Sequence, residues 1–212
     1  AYRDTDGSLL FGARHGLWQI RDQKIIKLID LPDNTVDRSV QAMVRDRSGA
    51  LWVSFKAPQG LAKFAGGQWS PITLAEAPEK SSPNVMITDA SGTLWLGYNG
   101  NVVLRIDGDR VQRLSTDAGL NIGNVISLQQ TRDALWVGGV RGLAHFDGRK
   151  FHSLQLDEGV PLRNVTAIME TTDGSLWLHA VPGVFHLSAA ELQRAREDVT
   201  YRVKYRTFDF LD

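Results

Sequence analysis

Cysteine is absent from this 212-residue sequence, which removes disulfides, thiolate metal ligands and cysteine nucleophiles together. An excess of either charge is missing too. Lys plus Arg and Asp plus Glu number 24 each, so no net field draws the chain to nucleic acid or to an anionic membrane surface. No apolar run approaches the roughly 18 residues of a membrane span, and the first residues lack a basic segment followed by an apolar one. Gly-x-Ser-x-Gly elbows, Walker loops and paired nucleophile and base are also lacking. A chain without cysteine suits either side of a membrane, so the redox compartment stays open.

What the sequence has is repetition. One phrase occurs five times: Asp6-Gly-Ser-Leu-Leu-Phe-Gly, Ser48-Gly-Ala-Leu-Trp-Val-Ser, Ser91-Gly-Thr-Leu-Trp-Leu-Gly, Arg132-Asp-Ala-Leu-Trp-Val-Gly and Asp173-Gly-Ser-Leu-Trp-Leu-His. Its aromatic positions are taken as Phe11, Trp52, Trp95, Trp136 and Trp177, spaced 41, 43, 41 and 41 residues apart. Periods of this size belong to propellers and solenoids.

The content of one period decides between them. In the fourth copy, Asn124-Val-Ile-Ser-Leu-Gln-Gln, Leu135-Trp-Val-Gly, Gly142-Leu-Ala-His-Phe and Lys150-Phe-His-Ser-Leu are β-rich runs separated by turn residues. Asp147-Gly148 and its counterpart Asp107-Gly108 supply the positive φ angles of tight hairpins. A glycine opens each third strand, at Gly16, Gly60, Gly100, Gly142 and Gly183. The Leu-Trp runs are apolar on successive residues, as in strands covered on both faces by neighbouring sheets. The pattern therefore predicts an all-β chain, a β-propeller of four-stranded blades with about five blades present. The expected boundaries are 1–31 (a partial blade), 32–74, 75–115, 116–155 and 156–212. Within the last, Ser188 followed by Glu191 marks a helix N-terminus and predicts a helical insertion over 188–197. The strand Thr200–Arg206 is expected to follow as the delayed outer strand. With its first copy incomplete, the chain is expected to be part of a larger propeller of about seven blades and a section of a longer protein.

Asp/Ser-Gly-x-Leu-Trp-Val/Leu-Gly, followed by Gly-Leu and an aromatic, resembles the two-component regulator propeller repeat over nearly the whole chain. That resemblance implies the periplasmic, extracytoplasmic sensor region of an inner-membrane signal-transduction protein, non-catalytic in this region and followed by a histidine kinase or diguanylate cyclase. Its implied partners are the remaining blades and signalling domains of the parent chain and an unknown small-molecule, saccharide or peptide ligand. A homodimer is compatible with it. The family's motif is a folding motif and transfers no ligand.

Candidate binding residues come from what varies between the repeats, because propellers bind through loops that differ among similar blades. Between the second and third strands lie His15, Lys56, Gln59, Tyr98, Asn99, Arg141 and His179. A ring of such donors with an aromatic suits a sugar, a carboxylate or a peptide; the plainer alternative is that they are solvated turn residues. Of the five histidines, His145 and His186 occupy comparable repeat positions that packing explains, and none has the close helical spacing of a zinc pair. No metal site, cofactor or catalytic residue is expected. Two other readings compete with the sensor. One is an enzyme of the streptogramin lyase type, with a metal and a histidine, His179 being the natural base. The other is a passive assembly scaffold.

Overall fold

Each predicted repeat folds as one antiparallel sheet because its turns are chemically specified. The computed structural model describes residues 1–13, 16–31, 39–56, 60–157 and 161–208. The first sheet contains β1 (Tyr2–Arg3), β2 (Leu9–Ala13), β3 (Gly16–Arg21) and β4 (Lys24–Ile29). The second contains β5 (Val40–Arg45), β6 (Leu51–Phe55), β7 (Leu61–Ala65) and β8 (Gln68–Ile72). β9 (Val85–Thr88), β10 (Leu94–Tyr98), β11 (Val102–Asp107) and β12 (Arg110–Leu114) form the third. β13 (Val125–Gln130), β14 (Leu135–Gly139), β15 (Gly142–Phe146) and β16 (Phe151–Ser153) form the fourth. After β17 (Gln155–Leu156), the fifth sheet takes β18 (Arg163–Glu170), β19 (Leu176–Val181) and β20 (Val184–Leu187). The helix α1 (Ala189–Glu197), β21 (Arg202–Val203) and β22 (Arg206–Phe208) complete the chain, and β22 is the fifth sheet's fourth strand. The architecture is all-β, that of β-propeller blades. Two compact units divide it, Ala1–Leu96 with Leu104–Gln112 and Gly97–Val103 with Arg113–Asp212.

The first hairpin of each sheet shows why the repeat phrase reads as it does. In the second sheet, Gly49 N–H donates to the Asp46 carbonyl at 2.9 Å, and one Asp46 carboxylate oxygen accepts from Ser48 N–H (2.8 Å) and Ala50 N–H (3.1 Å). The other oxygen accepts from the Trp52 indole N–H at 2.8 Å. Lys63, opposite Trp52 in register, places its ammonium 2.8 Å from Asp46 and 5.5 Å from the indole centroid. One carboxylate thus closes the turn, anchors the tryptophan and neutralises the cation stacked on it. Burial opposes the ionisation of Asp46, but the bonds from Lys63, Ser48 and Trp52 outweigh it and hold the carboxyl well below its ordinary range. Asp89, Trp95 and Arg105 repeat the arrangement, with the indole N–H 2.8 Å from the carboxylate and the guanidinium 5.6 Å from the ring. In the fourth and fifth sheets Thr131 and Thr171 replace the aspartate, and the residues opposite Trp136 and Trp177 become His145 and His186. Without a carboxylate the stacked group is an imidazole, with ring centroids 5.3 and 4.7 Å apart.

The same turn corrects the alignment of the first repeat. Asp4 closes its hairpin with Gly7 and Ser8 as Asp46 does with Gly49 and Ala50, and Leu10 faces Gln19 as Trp52 faces Lys63. Leu10, not Phe11, therefore occupies the tryptophan position.

Each sheet has two chemically different faces. Leu10 and Leu17 lie on the tryptophan face of the first sheet, and they share a core with Leu51, Val53 and Phe55 on the opposite, leucine face of the second. In the other unit, Trp136 shares a core with Leu176, Leu178 and Phe185 of the fifth sheet. The rule is tryptophan face onto leucine face. Its rim is pinned by Arg45, whose guanidinium binds Asp4 through both nitrogen–oxygen pairs at 2.7 and 2.8 Å and holds that carboxyl below its ordinary value.

The expected helix forms over Ala189–Glu197, with Ser188 Oγ accepting from Glu191 N–H at 3.4 Å. Leu192 and Ala195 are buried in the core of that unit. The strand expected over Thr200–Arg206 is instead split. Glu191 accepts from the Tyr201 hydroxyl and the Lys204 N–H, both at 2.8 Å, which turns the chain between β21 and β22. β21 then pairs in parallel with β17, and β22 pairs with β20. No helix among the described residues is long and apolar enough to cross a membrane.

Trp136 is 1% exposed, whereas Trp177 at the same repeat position is only half-buried. Trp136→Ala is expected to destabilise the protein by about 3–5 kcal/mol in urea unfolding, and Trp177→Ala by clearly less.

Candidate functional site

Seven residues are candidates from the sequence, and the structure sorts them. His15 and Gln59 lie outside the described residues. Lys56 is exposed in the first unit, where its N–H donates to the Ser39 carbonyl at 2.9 Å. Tyr98 is expected in a loop but ends β10, and it is 1% exposed; burial pushes its phenol above its ordinary pKa. Asn99 and Arg141 are exposed turn residues of the second unit. His179, expected in a loop, lies inside β19, because that strand runs on to Val181.

Backbone bonds tie the turns of the second unit into one rim. Gly100, whose φ of 74° favours glycine, donates its N–H to the Asn124 side-chain oxygen at 3.1 Å. Asn101 N–H donates to the Gly123 carbonyl (2.8 Å), and Gly123 N–H returns a bond to the Asn101 side chain (2.5 Å). Val140 N–H donates to the Asn124 carbonyl (3.1 Å) and Arg141 N–H to the Ile122 carbonyl (2.9 Å). Asn164 N–H then donates to the Val140 carbonyl at 3.2 Å. The backbone is held, while the Arg141, Asn99 and Asn124 side chains face outward. Asn101 and Asn164 adopt left-handed backbone at φ 61° and 49°, which asparagine tolerates better than most residues. Those asparagines were the readable signal for this rim, and loop composition alone passed over them.

His179 is exceptional for a second reason. Two residues after the tryptophan position the other sheets carry Gly12, Ser54, Gly97 and Gly138. A Cβ on Gly12 would overlap Val40 of the next sheet, and one on Gly138 would come within 2.8 Å of Val165. Ser54, at the same place, donates to the Pro83 carbonyl at 2.6 Å. Small residues are thus where the next sheet's first strand approaches. His179 breaks that column, is exposed, and its Nδ1 lies 2.6 Å from the Thr166 hydroxyl.

The other concavities carry less. A groove of about 440 Å³ in the first unit is lined by Asp46, Trp52, Lys63, Leu94, Ile106 and Asp109, among others. Its Lys63 is already paired with Asp46, and Arg47 reaches Asp107 at 3.8 Å. Among the described residues no group of three or more His, Cys, Asp or Glu side chains is placed to hold a metal ion. His145 is 4% exposed and stacks on His152, with centroids 5.2 Å apart; His152 Nε2 in turn lies 2.8 Å from Asp147. His145 and His186 therefore pack on their tryptophans, in agreement with their repeat position.

No family model and no curated protein matches the sequence. Solved structures do match. The extracellular domain of the hybrid two-component system BT3049 from B. thetaiotaomicron superposes with a TM-score of 0.73 at 18% identity, over 98% of this chain and 28% of that one. The corresponding domain of BT4673 from the same organism gives 0.68 at 15% identity, over 100% and 29%. Virginiamycin B lyase from Staphylococcus aureus gives 0.70 at 14% identity, over 96% and 67%. At these identities the likeness establishes the propeller fold. The chain spans less than a third of either extracellular domain.

The buried His145 makes stability depend on pH. Burial, reinforced by the positive fields of His152 and Arg196, pushes its pKa down from 6.5 to about 4. The folded state therefore binds the proton less well than the unfolded one. The stability held by neutral His145 is complete above pH 6.5 and is lost as the pH falls toward 4. Thermal unfolding midpoints are expected to decline across that window and to flatten there in His145→Phe.

Proposed function

We propose that this chain is the recognition section of a ligand-sensing propeller on the extracytoplasmic side of a bacterial inner membrane, without catalysis of its own. The observation that carries the reading is the break at His179. The residue that should be small for blade packing is a histidine exposed beside Thr166, on the unit whose rim presents Asn99 and Arg141. A guanidinium, amide groups and an imidazole on a fixed backbone suit a carboxylate-bearing saccharide or peptide. The fold is shared with the extracellular domains of hybrid two-component systems, which supports placement in a signalling protein. The remaining blades and output domain of such a protein would receive the signal. The rim bonds join successive sheets, Asn101 to Gly123 and Val140 to Asn164, so a ligand that favours one packing of these turns biases the sheets behind them.

A second reading rests on one observation. The fold is equally that of virginiamycin B lyase, and the Thr166–His179 contact of 2.6 Å places an imidazole beside a hydroxyl. Under that reading His179 acts as a base with a metal ion.

Calorimetric titration with acidic saccharides and short peptides separates the two. Sensing predicts binding without turnover, weakened roughly tenfold or more by Arg141→Ala and by His179→Ala, as expected for loss of a charge-assisted hydrogen bond. Turnover that requires an added divalent metal and disappears in His179→Ala would move the assignment to the lyase. Binding that neither substitution affects removes this rim from consideration.

A further inference from the structure

Across each sheet the tryptophan position continues into one residue of the third strand and one of the outer strand. In the second sheet these are Lys63 and Ser70, and Asp46 balances the lysine at 2.8 Å. In the fourth they are His145 and His152, and Asp147 meets the second imidazole at 2.8 Å. The third sheet carries Arg105 and Gln112 at the same spacing along the chain. Here no carboxylate answers the cation. Asp89 accepts from Ser91 N–H, Thr93 N–H and the Trp95 indole, and neither a hydrogen bond nor an ion pair joins it to Arg105. The Arg105 guanidinium is stacked 5.6 Å from the centre of the Trp95 ring, and its Nε is buried without a partner.

Beside that guanidinium is a hollow of about 100 Å³ lined by Arg105, Asp107, Arg110 and Gln112. Arg110, the exposed first residue of β12, also makes no ion pair or hydrogen bond among the described residues. Asp107 is the one acid of the lining, and Arg47, 3.8 Å away, offsets its charge. The hollow thus presents two uncompensated guanidinium groups and a neutral amide, all of them able to donate hydrogen bonds. A half-buried cation without a counter-charge is unfavourable, and an anion entering the hollow would relieve it.

We propose that this hollow binds a doubly charged oxyanion, the phosphate group of a phosphate ester or inorganic phosphate. Two positive charges match two negative ones, and each guanidinium fork can hold two phosphoryl oxygens at once. The volume admits one such group, so the rest of an ester would lie outside. Stacking on Trp95 fixes the plane of Arg105 before the ligand arrives, which lowers the ordering that binding requires. The lining residues and Trp95 all belong to the first unit, and none is shared with the rim of Asn99, Arg141 and His179. The site is therefore independent of the sensing proposal.

Isothermal titration calorimetry of the 212-residue chain tests this, with inorganic phosphate, glucose 6-phosphate, glucose and acetate as probes. In a phosphate-free buffer of low salt at about pH 8, where a phosphate ester carries both charges, the two phosphates are expected to bind one per chain. Glucose should not bind, and acetate should bind at least tenfold more weakly. In Arg105→Lys the substituted side chain is expected to turn to Asp89, as Lys63 does to Asp46, and so to leave the hollow with the fold intact. Arg105→Lys and Arg110→Gln should each weaken phosphate binding roughly tenfold or more, whereas Arg141→Ala should leave it unchanged. Circular dichroism checks folding, and Arg110→Gln, at an exposed position, decides if Arg105→Lys is unfolded. Tighter binding of glucose 6-phosphate than of phosphate assigns the site to esters, and the reverse assigns it to the free ion. A parent that binds neither phosphate overturns the proposal, as does binding that acetate matches or that both arginine substitutions leave intact. Loss of binding in Arg141→Ala alone would place the phosphate at the rim and overturn it as well.

Discussion

One half-buried carboxylate organises each of the second and third sheets. Asp46 and Asp89 each close a hairpin and accept the indole N–H of a tryptophan six residues on, and Asp46 also balances the lysine stacked over its indole. A tryptophan held at its nitrogen has a defined ring plane, and a defined ring plane is what the neighbouring sheet must match. Where the carboxylate becomes threonine, the stacked cation becomes histidine, and His145 is held in its neutral form by burial. The substitutions go together because a stacked cation without its carboxylate would be an unbalanced charge in a half-dry site.

From that anchor follows the pairing of unlike faces. The tryptophan face presents rings and polar tips, and the leucine face presents branched aliphatic chains that fill the space around them. The cost of the arrangement is that the residue two beyond the tryptophan must be small, since the next first strand approaches there. A joint this demanding leaves little freedom along the sheets. Variation is tolerated at the turns, where Asn99, Asn124 and Arg141 project from a backbone already satisfied by its own bonds.

Much of the fold was legible in the residues. Turn signals at fixed offsets and a doubly apolar second strand marked five sheets, and Ser188 with Glu191 marked the helix. Three particulars were not. In the first repeat the only aromatic of the phrase, Phe11, suggests the tryptophan position, whereas the turn chemistry of Asp4 places Leu10 there. Tyr98 reads as a loop residue because asparagine and glycine follow it, yet the strand continues through it into the core. The outer strand of the fifth sheet looks continuous, and only the contact of Glu191 with Lys204 and Tyr201, 13 and 10 residues away, divides it.

By itself the sequence determined the period, the strand-and-turn grammar within each repeat, and the absence of cysteine chemistry, because these rest on local conformational preferences and on spacing along the chain. Tertiary structure decided which side chains share a face and that His179 stands in a column otherwise reserved for small residues. Those depend on how one sheet approaches the next. The approach is set by packing between residues some forty positions apart, such as Arg45 and Asp4, and a single repeat read alone carries no record of it.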